Sequence, residues 1–435
     1  MTEIESKVAV GFSSNPDSRD AGREVITDAI NRLGDEKPDL VLLFSTIHYR
    51  KEKYGGMQTL IDGVYDVLSV GTKLVGGTTS GFIIPQGCYT RGVTAMAIKC
   101  EDMDFSIAVA ENIKKNPELA AYKCAIKIKE DLSKSKFQNK FLLDLPSGTT
   151  TPKIPGYPNN LRVVRSKFLS RILLLGTIFS LKVLQKGPGR EEVIIEKLAE
   201  ELPEYQMIGG SLIDDNKGYF NYQFYNNKVY TNMLITLGIS TSKQVKVNST
   251  FGLTETDKRF KITKKSTYDL VIEKINNRDA FNEMLEILNW PTRFLSDSAR
   301  LPFRTLYTPI GYTVNGKRYI SVMAFFFGES IIVSPKVRCE DACIMTTSGK
   351  KLIESVEENL EETKNKNIQF GLVTSCIARL QTLGRNVYKV HEILQNHFKG
   401  NPFLQIYAVG EDVYTKELGA KRIAESYNTA IFYEE

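Results

Sequence analysis

Residues 40–46 read LVLLFST and residues 73–81 read KLVGGTTSG, and these two stretches decide the fold. Each contains apolar residues that do not alternate with polar ones, and each ends in small or polar residues. Such a pattern is typical of a strand that is buried on both faces. Amphipathic helices are predicted before the two strands, at residues 21–33 and 57–68. The region therefore predicts a helix–strand–helix–strand unit.

The same unit recurs twice further along the chain. In the second copy, residues 141–145 read FLLDL and residues 206–211 read QMIGGS, so the glycine pair returns. A more diverged third copy occupies residues 345–435, with predicted strands at 370–376 and 405–411. Helices that alternate with buried strands indicate an α/β fold. We expect repeated helix–strand–helix–strand units that form two packed domains, with mixed sheets covered by helices.

The first two copies are expected to form one domain at residues 6–246, and residues 247–435 a second domain. Alternating polar and apolar residues at 309–333 predict antiparallel strands in the second domain. A cleft between two packed domains is a natural position for a ligand. The glycine pairs permit a close approach of the backbone to such a ligand, although tight turns are the alternative.

Composition narrows the class of protein without fixing its activity. The 435 residues are 42% hydrophobic and 25% charged, which is ordinary for a globular protein and argues against wholesale disorder. Three histidines argue against a multi-histidine metal enzyme. The polar N-terminus lacks a secretion signal, and the six scattered cysteines predict a reducing cytoplasm. The net charge of +6 is too small to imply a nucleic-acid partner.

Residues 149–190 form a basic insertion between the first strand and the second helix of the second copy. They contain eight basic residues and no acidic one, which gives this segment a net charge of +8. Because the whole chain has a net charge of +6, the remaining residues have a net charge of −2. Prolines predict an extended loop at residues 152–158, after which apolar residues recur near helical spacing. A basic amphipathic helix of this kind can bind an anionic membrane surface or an acidic protein. A packed helix or a lid over a pocket, with its basic side in water, is the alternative.

Short motifs at the predicted strand ends add a family resemblance. They are Val10-Gly11-Phe12-Ser13-Ser14, Phe44-Ser45, Gly76-Gly77-Thr78, Ile208-Gly209-Gly210-Ser211 with Asp214-Asp215, Ser375-Cys376 with Arg379, Gly410-Glu411, and Asn428-Thr429. In this order they resemble the FIST family of sensory domains. The basic insertion at residues 149–190 is a departure from the pattern of that family. The resemblance implies a small ligand, for which amino acids have been proposed. Some bacterial members bind haem and sense nitric oxide.

Arg379 and Glu411 are the charged candidates for ligand binding. A guanidinium can bind a carboxylate through two parallel hydrogen bonds, and a carboxylate can receive an ammonium group. Together they would suit a zwitterion such as an amino acid, whereas a salt bridge between the two side chains is the structural alternative. The predicted ligand-binding residues are Cys376, Arg379, Gly410, Glu411, Asn428, Thr429, Gly76, Gly77, Gly209, Gly210 and Asp214.

Several of these residues also have plain structural interpretations. Asn428 and Thr429 offer neutral hydrogen bonds or simply start the last strand. Asp214 is an acceptor or part of a turn. Cys376 would need a base such as His391 to act as a nucleophile, and a buried cysteine without reactivity is the commoner case.

His48 follows the first central strand and is a weak candidate for an axial haem ligand. We therefore expect a small-ligand-binding sensory module that is cytoplasmic and not an enzyme, with no catalytic residue and no metal site. The alternatives are a haem-based gas sensor and an enzyme that uses Cys376 or Glu411.

Overall fold

The structure is a computed structural model that describes residues 6–150, 162–187, 189–291 and 301–435, with backbone only at 301–303. The loop predicted at residues 152–158 lies outside the described residues. The chain is a mixed α/β protein, with 31% helix and 41% strand, and its helices pack against mixed sheets as predicted. No helix in the described ranges is long and apolar enough to cross a membrane.

Helices of ordinary length lie between the strands. The α-helices are α1 (Ser18–Arg32), α2 (Met57–Tyr65), α3 (Pro117–Asp131), α4 (Lys167–Phe179), α5 (Glu191–Glu201), α6 (Ala280–Leu288), α7 (Leu301–Leu306), α8 (Gly349–Leu360), α9 (Ile377–Leu383) and α10 (Val387–Phe398). A π-helical turn, Ser180–Leu184, continues α4, and short 3-10 helices lie at Ile47–Arg50, Glu52–Tyr54, Glu361–Thr363 and Gly384–Asn386.

The strands range from two to thirteen residues. They are β1 (Lys7–Ser13), β2 (Leu40–Thr46), β3 (Lys73–Thr79), β4 (Phe82–Ile84), β5 (Gly87–Tyr89), β6 (Val93–Lys99), β7 (Met103–Glu111), β8 (Asn139–Pro146), β9 (Val163–Val164), β10 (Gln206–Ser211), β11 (Gln223–Tyr225), β12 (Lys228–Tyr230), β13 (Met233–Thr241), β14 (Gln244–Thr250), β15 (Thr254–Ser266), β16 (Val271–Ile275), β17 (Arg278–Asp279), β18 (Ile310–Val314), β19 (Lys317–Phe327), β20 (Ser330–Ser334), β21 (Asp341–Thr346), β22 (Asn367–Cys376), β23 (Phe403–Tyr414), β24 (Lys421–Ile423) and β25 (Tyr427–Glu434).

One four-strand arrangement occurs three times in the described chain. The three groups are β1-β6-β2-β3, β7-β13-β8-β10 and β14-β25-β22-β23. In each group the last two strands are parallel, and the first two strands run antiparallel to their neighbours. The sequence repeat is therefore a structural repeat, to which the structure adds a starting strand in each copy.

The three groups are interlocked, because each one pairs with a strand from another copy. The hairpin β11–β12 of the second copy pairs with β3 of the first. Strand β4 of the first copy pairs with β23 of the third. The far end of β23 pairs in turn with β10 of the second. The sheet that contains β10 and β23 thus joins strands from both sides of residue 247, and the division into two domains stays a prediction.

The inner faces of the three groups share one apolar core. Phe44 of β2, Phe141 of β8 and Phe432 of β25 all lie in it, and the Phe141 and Phe432 rings are 5.2 Å apart. The outer faces carry separate apolar clusters under α1 and α2, under α3 and α5, and under α8 and α10. Each central strand is therefore buried on both faces, which explains its lack of alternation.

The segment between β14 and α8 forms most of an additional sheet, with strand order β15-β21-β18-β19-β20-β16-β17 and an apolar core of its own. Strand β9 of the basic insertion joins this sheet by pairing in parallel with β19. Its strands β18, β19 and β20 are antiparallel, as predicted for residues 309–333.

The third predicted copy, residues 345–435, does not begin with a helix. Its first helix, α8, begins only at Gly349, because Met345 pairs in β21 and Ser348 caps the helix. Strand β13 of the second group begins at Met233, because Asn232 turns with a φ of 57°.

Candidate functional site

The carboxyl ends of the core strands meet at one end of the shared core. The Ser80 hydroxyl, just after β3, donates to the carbonyl of Asp214 at 2.5 Å, and the Ser80 amide donates to the carbonyl of Tyr407 in β23. The Ile213 amide donates to the carbonyl of Thr78. Strand ends from all three copies are therefore hydrogen-bonded to one another, as expected where parallel strands end together.

A small cleft of about 80 Å³ opens beside these strand ends. Its floor is formed by Cys376 at the end of β22, by Ala378 at the start of α9 and by Gly410 in β23. The other side is apolar, with Met323 and Phe325 of β19. The cleft thus lies between the repeated core and the additional sheet, and we treat it as the candidate functional site.

Gly410 shapes the floor of the cleft. The pairing of β10 with β23 shifts register after Gly210, and Gly410 has a φ of +66° that favours glycine. A Cβ atom at Gly410 would lie 2.6 Å from the Nη2 atom of Arg422. Arg422 also donates to the carbonyl of Val409, so a larger residue at 410 would displace this support.

A turn that follows β10 forms the wall of the cleft. The carboxylate of Asp214 accepts hydrogen bonds from the amides of Lys217, Gly218 and Tyr219, each at 2.8 Å. The carbonyl of Asn216 accepts from the Nη2 atom of Arg162 at 2.5 Å. Asn216, Lys217 and Arg162 all line the cleft. The contacts of Asp214 are those of a turn, and its role in ligand binding stays a prediction.

Cys376 lies in the floor but is only 4% exposed. Burial, together with the Glu411 and Glu425 carboxyl groups, raises the pKa of its thiol well above the usual value. A thiol held in this form is a poor nucleophile. His391, the candidate base, instead lies 3.3 Å from the carbonyl of Pro85.

Arg379 is buried just behind the floor, and its guanidinium bonds to its own chain. It donates to the carbonyls of Phe251, Glu425 and Leu352 and to the hydroxyl of Ser355. The described ion pairs do not include one between Arg379 and Glu411. These contacts favour a structural role for Arg379.

Glu411 and Glu425 directly follow the cleft residues Gly410 and Ala424, and both are fully buried. One oxygen of Glu411 and both oxygens of Glu425 have no hydrogen-bond partner among the described residues. Burial raises the pKa of Glu411 well above its usual value, against the attraction of Arg422. Burial also raises the pKa of Glu425 to about 8. Burial thus favours the neutral form of both carboxyl groups, and the described lining of the cleft includes neither residue.

The glycine pairs allow the strands to pack closely. Gly209 of β10 lies between Asp144 of β8 and Asp412 of β23, and a Cβ there would be 2.0 Å from the Asp144 carboxylate. A Cβ at Gly76 would be 1.8 Å from the carbonyl of Leu43. The lining of the cleft in the described ranges includes neither Gly76-Gly77 nor Gly209-Gly210.

The last two candidates lie within β25. Asn428 donates to the carbonyl of Asp412 at 3.1 Å and accepts from Ser249. Thr429 donates to Asn359 at 2.5 Å. Both side chains are buried, and their ligand contacts stay predictions.

His48 lies in a short 3-10 helix, where its Nδ1 atom is 2.7 Å from the hydroxyl of Thr46 and its ring packs at a tilt against the ring of Tyr49. Burial lowers the pKa of His48 to about 4. The ring is therefore neutral at physiological pH, with one nitrogen within hydrogen-bond distance of the protein.

The sequence did not single out a buried charge cluster beside the floor. Asp412 forms an ion pair with Arg422 at 2.7 Å, and Arg422 also donates to Ser211. Burial and the neighbouring Asp412 raise the pKa of Asp144 well above its usual value. The one signal for this cluster was Asp144 itself, a carboxylate within the apolar strand β8.

Comparison with known proteins gives one strong match. The FIST N domain model matches residues 39–278, more than half of this chain. No curated protein matches it. The solved structure of cyanuric acid hydrolase from A. caulinodans is 11% identical, covering 55% of this chain and 72% of its own, with a TM-score of 0.26. The structure of PurLQS from Thermotoga maritima is 10% identical, and the match covers 99% of this chain and 72% of the PurLQS chain, with a TM-score of 0.20. These two likenesses are too weak to carry an argument.

Proposed function

The chain belongs to the FIST family, and on this premise we propose that the cleft beside β10, β22 and β23 binds the ligand of a sensory module. FIST domains are sensory domains for small ligands. The observation that carries the proposal is the position of the cleft, which is lined by residues at strand ends of the second and third copies and by β19 of the additional sheet. A ligand there would contact the repeated core and the additional sheet at once.

We propose an amino acid or a related small metabolite as the ligand. Arg162 and Lys217 supply positive charge at the wall for a carboxylate. Glu411 and Glu425, behind Gly410 and Ala424, supply carboxyl groups for an ammonium. The apolar side, with Met323 and Phe325, suits a short carbon side chain, and the volume of about 80 Å³ restricts its size.

Thermal unfolding with a panel of amino acids and related metabolites tests this proposal. A ligand that binds the folded state stabilises it by about 2.7 kcal/mol at roughly 100 times its Kd. We expect Arg162→Gln to weaken binding about tenfold, because a charge-assisted hydrogen bond is lost. We expect Glu411→Gln to weaken binding too, because an amide cannot carry the negative charge that an ammonium needs.

Arg259→Gln is the matched control, since this exposed arginine lies on the additional sheet and is paired with Glu255. It should leave binding unchanged. If no amino acid raises the unfolding temperature, the choice of ligand is wrong. If an amino acid raises the unfolding temperature of the unchanged protein and of Arg162→Gln by the same amount, the binding site lies elsewhere.

A cytoplasmic signal-transduction role is part of the proposal, and the six cysteines, all free, agree with it. A partner for residues 149–190, either an acidic protein or an anionic membrane surface, is a separate proposal that does not depend on the cleft.

A further inference from the structure

Helix α4 and the π-helical turn after it present large apolar side chains to solvent. We call residues 167–184 the α4 ridge. Phe168 is 76% exposed, Leu175 81% and Val183 61%. Ile172 and Phe179 are exposed beside them. By helical spacing these residues lie on one face, so they form a continuous apolar strip.

The side of the ridge that faces the protein is held by one buried leucine, Leu181, and by a few polar contacts. Ser170 is buried, and its hydroxyl donates to the carbonyl of Val164 at 3.1 Å. A Cβ at Gly328 would be 3.1 Å from the Cβ of Ser170. Lys167 forms an ion pair with Glu329. The ridge is thus anchored by these polar contacts and by Leu181, while its apolar strip stays exposed, whereas an ordinary surface helix buries its main apolar face.

The charge of the ridge is positive throughout. Arg171 and Lys182 are exposed on the helix face next to the apolar strip, and Lys186 follows the π-helical turn. Residues 149–190 contain no acidic residue. An exposed apolar strip with basic residues along one flank is the pattern of helices that lie in the plane of a membrane surface.

We propose that the α4 ridge docks on an anionic lipid membrane, with Phe168, Leu175 and Phe179 among the acyl chains. Arg171 and Lys182 would then lie at the level of the lipid phosphates. A second copy of the chain fits less well, because a two-fold contact would bring the same basic residues close to their own copies. A bilayer also accepts a convex ridge without a complementary groove, which a protein partner would need.

Flotation of the full chain with lipid vesicles tests the proposal. One set contains phosphatidylcholine alone, and the other contains equal parts of phosphatidylcholine and phosphatidylserine. We expect binding to the anionic vesicles that weakens as salt is raised. Phe168→Gln with Leu175→Gln should weaken this binding at least about tenfold. Arg171→Gln with Lys182→Gln should weaken it roughly thirtyfold, since each basic residue near an anionic surface contributes.

Val70→Gln is the matched control, because Val70 is the most exposed large apolar residue of the described ranges and lies away from the ridge. It should leave vesicle binding unchanged. The changed side chains are exposed, so each variant should keep its unfolding temperature. Absence of binding to anionic vesicles would overturn the proposal, and so would binding that the ridge variants leave intact. Self-association that the same variants abolish, without vesicle binding, would instead assign the ridge to a second copy.

Discussion

Glu425 shows how far a single side chain can depart from what its sequence position suggests. It follows Ala424 in a turn between β24 and β25, yet it is fully buried and its two carboxyl oxygens lack hydrogen-bond partners. Arg379, near it, donates to the carbonyl of Glu425. Burial outweighs this positive charge and raises the pKa of Glu425 to about 8. The carboxyl group is therefore largely protonated at neutral pH.

We predict that Glu425→Gln stabilises the protein more at pH 8 than at pH 5. Between the ordinary pKa of a glutamate and about 8, the folded state keeps a proton that the unfolded state releases. The stability contributed by Glu425 is therefore complete at low pH and is lost as pH rises through this window. From pH 5 to pH 8, the difference in unfolding free energy between the variant and the unchanged protein should grow by on the order of a few kcal/mol. Urea unfolding at several pH values measures it, and a difference independent of pH would contradict the assignment.

At the scale of elements, Arg379 of α9 connects parts of the third copy that are far apart in sequence. Its guanidinium donates to the carbonyl of Leu352 and the hydroxyl of Ser355, both in α8. It also donates to the carbonyls of Phe251 and Glu425, which lie in turns next to β14 and β25. These elements form the rear of the cleft floor, so the position of the floor depends on this arginine.

We predict that Arg379→Met costs on the order of 3 kcal/mol of stability, because buried acceptors lose their donor. Thermal unfolding measures the loss, with the exposed Arg385→Met as control. The sequence-based prediction that Arg379 binds a ligand carboxylate is tested by the same variant. Unchanged stability with lost ligand binding would favour that role over the structural one.

At the scale of the whole molecule, the three copies exchange strands in a cycle. The second copy supplies β11 to the first, the first supplies β4 to the third, and the third supplies the end of β23 to the second. The inner faces also share one apolar core. A fragment that ends near residue 246 would lose Phe370 and Phe432 from that core and would expose the edge of β10.

We predict that residues 6–246 expressed alone aggregate or unfold without cooperativity, because an open strand edge and an apolar face are exposed. Co-expression with residues 247–435 should restore a soluble complex. Size-exclusion chromatography and calorimetry measure both properties, with the full chain as control. A monomeric fragment that unfolds cooperatively would instead support two independent domains divided near residue 247.

The repeated α/β unit and the buried central strands could be predicted from the sequence alone. An unbroken apolar run that ends in small or polar residues is a local property, so β2, β8 and β22 could be located from their own residues. The motifs that carry the family resemblance include Cys376 and Gly410, which line the cleft, and their contacts with a ligand stay predictions.

Which groups these residues contact depends on the three-dimensional fold. The donors of Arg379 are satisfied by residues 251, 352, 355 and 425, none of which its neighbours in sequence identify. The sequence predicts an amphipathic helix in the α4 ridge but does not say which of its faces is exposed. In the structure the apolar strip is exposed to solvent. Both outcomes depend on contacts between segments distant in the chain. The energy of such contacts depends on how deeply the groups are buried and on which groups they bond to in the folded chain. A local sequence pattern does not contain this information.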